Sequence, residues 1–313
     1  MKNSSAKILP AGAILLTSRA TIGESAILTK SSTTNQGFQS LIPTKINNEF
    51  LYYLKYQFIR EMYKKAFGST FLEISKSNVE QINIKIPANK EQEKIADMLS
   101  LLDKKIELQT KKVEVLKLYK KCLLHLLFAG EGKKNILNDI CDFINGKGHE
   151  SFIDEDGKYI LVNSKFISTN GSVFKKTNKS LSPLKKDSIT MVMSDLPNGK
   201  ALAKCFYIEE DNKYTLNQRI CSLFVKDEKV IDSKFLFYLL DRNKNYLKFD
   251  DGVNQTNLKK EDVLDIVIRI PKLSYQIDVA NILFTLDRLV QYEQNKNDVI
   301  SLLKKGLIQS MFV

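Results

Sequence analysis

The stretch FGSTFLEISKSNVEQINIKIP (67–87) returns in altered letters as DGVNQTNLKKEDVLDIVIRIP (251–271). Gly68 meets Gly252 and Pro87 meets Pro271 at an offset of 184 residues, and the register then runs on without a gap. Gln92 matches Gln276, Ala96 matches Ala280, Leu99 matches Leu283 and Asp103 matches Asp287. Upstream, FLYYLKY (50–56) answers FLFYLLD (235–241), and TNQGF (34–38) answers LNQRI (216–220), with small offset changes of the kind that altered loop lengths produce. Self-similarity over most of a chain marks one structural unit used twice.

Each copy reads as a strand-rich segment followed by a long helix. In the second copy Tyr159–Val162, Ile189–Met193, Ala201–Ile208 and Ile220–Val225 are short apolar or alternating runs bounded by turn formers, which predicts strands. Phe235–Leu240 predicts a helix, and the alternation from Val263 to Ile270 predicts a strand closing at Pro271. Residues 90–128 contain neither Pro nor Gly and would form a helix of about 60 Å at 1.5 Å per residue; the repeat puts its partner at 273–312.

A heptad passes through Leu99, Leu102, Ile106, Gln109, Val113, Leu116, Lys120, Leu123 and Leu127. Its copy passes through Leu283, Leu286, Val290, Glu293, Asn297, Ile300, Lys304, Leu307 and Met311. Apolar residues at this spacing predict a coiled-coil seam, and a polar residue at a seam position sets register. The expected antiparallel pair sets Lys120 against Glu293 and Gln109 against Lys304, around a pseudo-twofold axis. The competing expectation packs each helix on its own domain.

The fold class expected is therefore α+β, with two strand-rich domains and a pair of long antiparallel helices. The boundaries read as 1–89 for the first domain, 90–131 for the first helix, 132–271 for the second domain and 272–313 for the second helix. At 313 residues and 43% hydrophobic content the chain has the composition of an ordered globular protein. Its formal charge of +12 makes a polyanion a natural partner.

Several chemistries lack their residues. Cys122, Cys141, Cys205 and Cys221 show no C-x-x-C spacing, and His125 and His149 add too little for a zinc site. That cysteine usage fits a reducing cytoplasm. No apolar run reaches the ~20 residues of a membrane span, and Pro10, Gly12 and Arg19 spoil the signal-peptide reading of Ile8–Leu16.

GKGHES (146–151) lacks phosphate-loop spacing and reads as a flexible basic loop, and no G-x-G-x-x-G, H-E-x-x-H, G-x-S-x-G or Asn-Pro-Pro-Tyr-type motif occurs. No cofactor is expected. His125, inside CLLHLLF, is expected to pack on a helix; His149, in a polar loop, to touch a phosphate or nothing; and Asp154, Glu155 and Asp156 to form a solvated turn.

Between Gly157 and Lys186 lie Lys158, Lys165, Lys175, Lys176, Lys179, Lys185 and Lys186 and no acidic residue. Asn163, Ser164, Ser168, Thr169, Asn170 and Asn178 are interleaved with them, a mixture suited to phosphates and base edges. Lys147 precedes this stripe. SDLPNGK (194–200), with Ser194, Asn198 and Lys200, follows it, then Asn217-Gln218-Arg219 and Gln255-Thr256-Asn257. Amides pair bidentately with adenine and guanidinium with guanine. Lys175 and Lys176 are thus expected to position phosphates, and Gln218, Arg219 and Gln255 to select bases.

The chain resembles the specificity subunit of type I restriction–modification systems. The likeness is carried by PANKEQEKIADMLSLLDKKIE (87–107) and its copy PKLSYQIDVANILFTLDRLVQ (271–291), and it covers nearly the whole chain. It also rests on NGKGHE with GKYILVNSKFIS (145–168), SDLPNGKALA (194–203) and LLTSRATIG (15–23). The resemblance implies a non-catalytic subunit with two target-recognition domains and helices acting as a ruler, which binds double-stranded DNA at a bipartite target. It also implies docking to methyltransferase subunits and a restriction/translocase subunit, which carry the cofactors.

One departure concerns the first domain. Ser18 aligned with Ser194 and Gly23 with Gly199 puts the counterpart of residues 133–180 ahead of Met1. The first recognition domain is expected to be incomplete, with an unpaired strand edge, and a second copy of the chain then becomes a partner through it. Arg19, Asn35 and Gln36 are its candidate DNA contacts. The rival readings are a coiled-coil adaptor or inactive truncated subunit that binds only proteins, and a nuclease or methyltransferase complete in one chain.

Overall fold

A computed structural model describes residues 7–68, 71–128, 132–197 and 200–312. In chain order the elements are β1 (Ile8–Leu9), β2 (Ile14–Thr17), β3 (Ser25–Ile27), β4 (Ser32–Thr33), β5 (Phe38–Leu41), α1 (Asn48–Lys65), α2 (Lys76–Glu80) and α3 (Asn89–Leu127). Then come β6 (Lys133–Ile136), α4 (Leu137–Ile140), β7 (Cys141–Asn145), a 3-10 turn (Glu150–Phe152), β8 (Tyr159–Val162), α5 (Ser164–Ser168), β9 (Lys175–Thr177), β10 (Ile189–Val192) and β11 (Ser194–Asp195). The remainder is β12 (Cys205–Tyr207), β13 (Tyr214–Leu216), β14 (Ile220–Val225), α6 (Ser233–Leu240), α7 (Lys244–Leu247), β15 (Thr256–Asn257), α8 (Lys260–Leu264), β16 (Val267–Ile270) and α9 (Leu273–Met311). The chain forms two compact units, Met1–Val115 with Val290–Val313, and Leu116–Leu289, so α3 and α9 each contribute to both.

The first unit is built on the antiparallel sheet β3-β2-β5, in which Ile14 lies between Ile27 and Leu41. Helix α1 covers it. Asn47 caps α1 by accepting from the Phe50 N–H, and Phe50, Leu51, Tyr53, Leu54, Phe58 and Met62 recur at helical spacing on its buried face. Leu99 from α3, Ile308 from α9 and Phe312 just beyond it complete this core.

The second unit repeats that plan and extends it. Its sheet has the order β12-β10-β14-β7, and Ile189 lies between Tyr207 and Leu223 just as Ile14 lies between its neighbours. Strand β7 pairs with the outer edge of β14. A further sheet, β13-β8-β9, encloses a smaller core of Val162, Phe166, Ile167, Leu216 and Ile220.

Two glutamines tie the long helices to their domains in the same way. Gln92 accepts from the Asn47 N–H at 3.0 Å and donates to the Pro87 carbonyl at 2.9 Å. Gln276 accepts from the Asp232 N–H at 2.9 Å and donates to the Pro271 carbonyl at 2.9 Å. Asn47 and Asp232 are themselves the caps of α1 and α6, so each buried amide locks a helix start to a helix cap.

In each unit the α3 and α9 segments run antiparallel, with a register different from the one expected. In the first unit Gln109 donates to the Glu293 carboxylate and carbonyl, Lys112 pairs with Glu293, and Lys304 pairs with Asp103. In the second unit Lys120 pairs with Asp287. Lys120 therefore does not meet Glu293, nor Gln109 Lys304. The reason lies in the aspartates: Asp103 also accepts from Tyr53 OH and Asp287 from Tyr238 OH, both at 2.7 Å, so each carboxylate serves a tyrosine and an ammonium together.

Smaller corrections follow local geometry. Strand β10 stops at Val192, and Ala201–Lys204 turns instead of extending, with Ala203 at φ +54. Val263 and Leu264 belong to α8, whose first turn is closed by the Asp262 carboxylate accepting from the Lys259 N–H, so the closing strand begins at Val267. His125 is exposed while Leu123, Leu124 and Leu127 pack inward. The Ser18 and Met193 amides donate to Gly37 and Arg219 carbonyls, which makes Ser18 the equivalent of Met193 rather than Ser194.

Candidate nucleic-acid interface

At one end of the four-stranded sheet, three crossings come together. The Val192↔Ile220 and Asn145↔Cys221 pairs end the ladder. Beyond them the Met193 N–H donates to Arg219 O, Gly146 N–H to Ile220 O and Lys147 N–H to Leu216 O, all at 3.0–3.1 Å. A fourth strand joins through β11 and β15, which pair Ser194 with Asn257 and Asp195 with Thr256. Lys147, Ser194, Asn217, Gln218, Arg219, Gln255, Thr256 and Asn257 are thereby gathered from four separate places in the sequence.

Backbone demands hold the cluster in shape. A Cβ on Gly146 would lie 1.9 Å from the Asn217 carbonyl, so only glycine allows the 146–147 segment this close to the 217–219 turn. Arg219 sits at φ +67, a left-handed conformation that costs a non-glycine residue about 1–3 kcal/mol. Its repeat counterpart, Gly37, is not left-handed. An exposed arginine held in a position where glycine is easier points to a use for the guanidinium.

Side-chain contacts organise the rest. Gln218 donates to Glu150 Oε1 at 2.7 Å and Gln255 to Ser194 Oγ at 2.8 Å. The Asp195 carboxylate accepts from the Leu196, Ala201 and Leu202 amides, closing the loop that carries Lys200. His149 is fully buried, contrary to its expected place in a polar loop. Its Nε2 accepts from the Leu181 N–H at 3.1 Å, so Nδ1 donates to the Lys147 carbonyl at 2.7 Å and pins the loop that presents Lys147.

The lysine stripe is divided. Lys165 lies on α5, which begins beside the cluster because the Asn217 N–H donates to Val162 O. Lys175 and Lys176 are successive residues of β9, paired with Leu161 and Ile160, and so point to opposite faces. Lys179 stands over the Phe152 ring at 4.6 Å. Lys185 and Lys186 precede β10 and lie at the end of that strand away from Ser194. Asn198 lies outside the described residues.

In the first unit the candidates are engaged locally. Arg19 forms a 2.9 Å ion pair with Glu73, and Asn35 Oδ1 accepts from the Gly37 N–H; Gln36 is exposed. His149, Glu150 and Asp195 were not among the expected site residues. A buried histidine and two acids next to basic loops carry no sequence signal of support roles, since their partners are 32, 68 and 6 residues away. Exposed amide, guanidinium and ammonium groups on one sheet end can bond base edges and phosphates. Among the described residues no group of His, Cys, Asp and Glu could hold a metal, and no helix is long and apolar enough to cross a membrane.

The family model described as type I restriction modification DNA specificity domain matches residues 1–118 and 133–302. A specificity subunit of the type I restriction enzyme MjaIX from Methanocaldococcus jannaschii is 44% identical over 119 residues, 37% of this chain and 28% of that one. The MjaVIII specificity subunit of the same organism is 25% identical over 293 residues, 83% of this chain and 68% of its own. The matched span is thus only about a quarter of the first relative's length. Among solved structures, the type I system S subunit from M. genitalium aligns with a TM-score of 0.70 at 19% identity, covering 98% of this chain and 84% of that one, a likeness of fold.

Proposed function

Because this chain belongs to the type I restriction–modification DNA specificity family, we propose that it is the subunit that selects the DNA target while partner subunits carry out the chemistry. It binds duplex DNA at a target read in two parts with an unread gap, and it docks methyltransferase subunits and a restriction/translocase subunit. The observation that carries the reading is the sheet-end cluster of the second unit, with Arg219 kept in a strained conformation at its tip. Lys147, Lys165, Lys175, Lys179 and Lys200 supply phosphate contacts; Asn217, Gln218, Arg219, Gln255 and Asn257 supply base contacts.

The test is to assemble the chain with a methyltransferase subunit and sequence the modified DNA. A fixed bipartite motif is expected, and modification without sequence preference would overturn the proposal. One observation favours a second reading for the first unit, in which it serves protein contacts alone: Arg19 is already neutralised by Glu73. A chain that assembles with the methyltransferase yet ignores duplex DNA would extend that reading to the whole protein.

A further inference from the structure

Two acids stand at the sheet end of the second unit, and their hydrogen bonding differs. Asp195 is saturated, because the Leu196, Ala201 and Leu202 amides occupy its carboxylate. Glu150 is half used: its Oε1 accepts from Gln218 Nε2 at 2.7 Å, while among the described residues its Oε2 accepts no hydrogen bond and neither oxygen forms an ion pair. An open carboxylate repels phosphate, so its place in the loop that presents Lys147 calls for a different ligand group.

Both partners start from fixed backbone. The buried His149 ring bonds the Lys147 carbonyl and the Leu181 amide, and the Phe152 N–H closes the turn onto His149 O at 2.9 Å, which leaves Glu150 exposed. Across from it Asn217 is held by the Val162 carbonyl and by its bridge to Lys147, and Gln218 is exposed beside it. Gly148 keeps the space between them clear: a Cβ there would lie 2.8 Å from Glu150 Oε2 and 3.7 Å from Gln218 Oε1. Two acceptor oxygens therefore converge over bare backbone. The bond to Glu150 also sets the sense of the amide, because turning it over would press oxygen against oxygen at hydrogen-bond distance.

In the major groove adenine N6 and cytosine N4 donate hydrogen bonds, whereas guanine O6 and N7 and thymine O4 only accept. Converging acceptors bond the first pair of bases and repel the second. We infer that Glu150 is a specificity-determining residue: together with Gln218 Oε1 it selects an amino-bearing base, adenine or cytosine, at one position of the target and rejects guanine or thymine on the same strand. This rests on the sheet end being the DNA contact. Arg219, one residue beyond Gln218, has the opposite preference, since a guanidinium only donates.

The full chain assembled with a methyltransferase subunit, followed by sequencing of the modified DNA, tests the assignment in Glu150→Gln and Glu150→Ala. Glu150→Gln keeps an acceptor for Gln218 and replaces the free oxygen with a donor. It is expected to admit the reversed base pair at a single motif position, with discrimination there falling about tenfold and every other position unchanged. Glu150→Ala is expected to lose preference at that same position. A wild-type motif that both variants leave intact overturns this inference alone, as does an even loss of modification with the motif retained, which would make Glu150 a structural prop. Wild-type modification without sequence preference overturns the DNA-contact reading and this inference with it.

Discussion

Arg219 concentrates the argument at the scale of one residue. Its left-handed backbone, fixed by the Met193 amide, is a conformation glycine adopts without strain. Arg219→Gly should therefore raise stability by up to about 1 kcal/mol in a urea melt while relaxing selection at one base position in sequenced modification sites. A gain in stability with unchanged selection would show the guanidinium to be idle. Lys175→Ala should instead weaken all duplexes alike and reduce the slope of log affinity against log salt by about one.

Glu293 makes a second prediction at this scale. The Lys112 ammonium, and then the Gln109 amide, hold its carboxyl below the usual glutamate range. A group whose folded value is depressed stabilises the fold above its unfolded pKa of about 4.3 and loses that contribution as pH falls through the folded value. Acid unfolding below about pH 4.3 should accordingly lose part of its pH dependence in Glu293→Gln; an unchanged profile would mean the pairing contributes nothing. The thiols behave oppositely: burial pushes Cys141 and Cys221 up to about 12, so in the native chain an alkylating reagent should reach Cys122 first.

At the scale of elements, the long helices are held by equivalent groups acting in each unit. Leu99 and Leu283, at the same heptad position, are both fully buried. Replacing either with Ala should cost about 2–5 kcal/mol, through lost transfer energy and the cavity left behind. Asp103→Asn and Asp287→Asn each weaken one tyrosine and one lysine contact, so their costs should be alike, about 1–2 kcal/mol apiece. Unequal melts for that pair would show that the repeat in sequence is not a repeat in energetics. The helix register illustrates how a plausible charge match can mislead: the heptad set Lys120 against Glu293, whereas its ammonium pairs with Asp287, whose carboxylate also accepts from Tyr238 OH.

At the scale of the whole molecule, one plan is used twice with different accessories. Both units keep the three-stranded sheet, the covering helix and the glutamine latch; the second adds β7, the sheet β13-β8-β9 and the amide-rich sheet end. If the two halves of the target are read by separate units, removing seven residues from both α3 and α9 should change the length of the unread gap in sequenced modification sites. An unchanged gap would sink the ruler.

The sequence by itself determined the duplication, the two long helices and the family, because heptad spacing, buried glutamines and Gly/Pro punctuation are local or strictly periodic and survive divergence between copies. It also named most of the sheet-end residues by type. Only the tertiary structure decided which of them meet, since Lys147, Ser194, Arg219 and Gln255 are brought together by strand pairing across more than a hundred residues. The helix register and the burial of His149 were likewise settled by packing, which depends on what occupies the far side of each element and leaves no period in the chain.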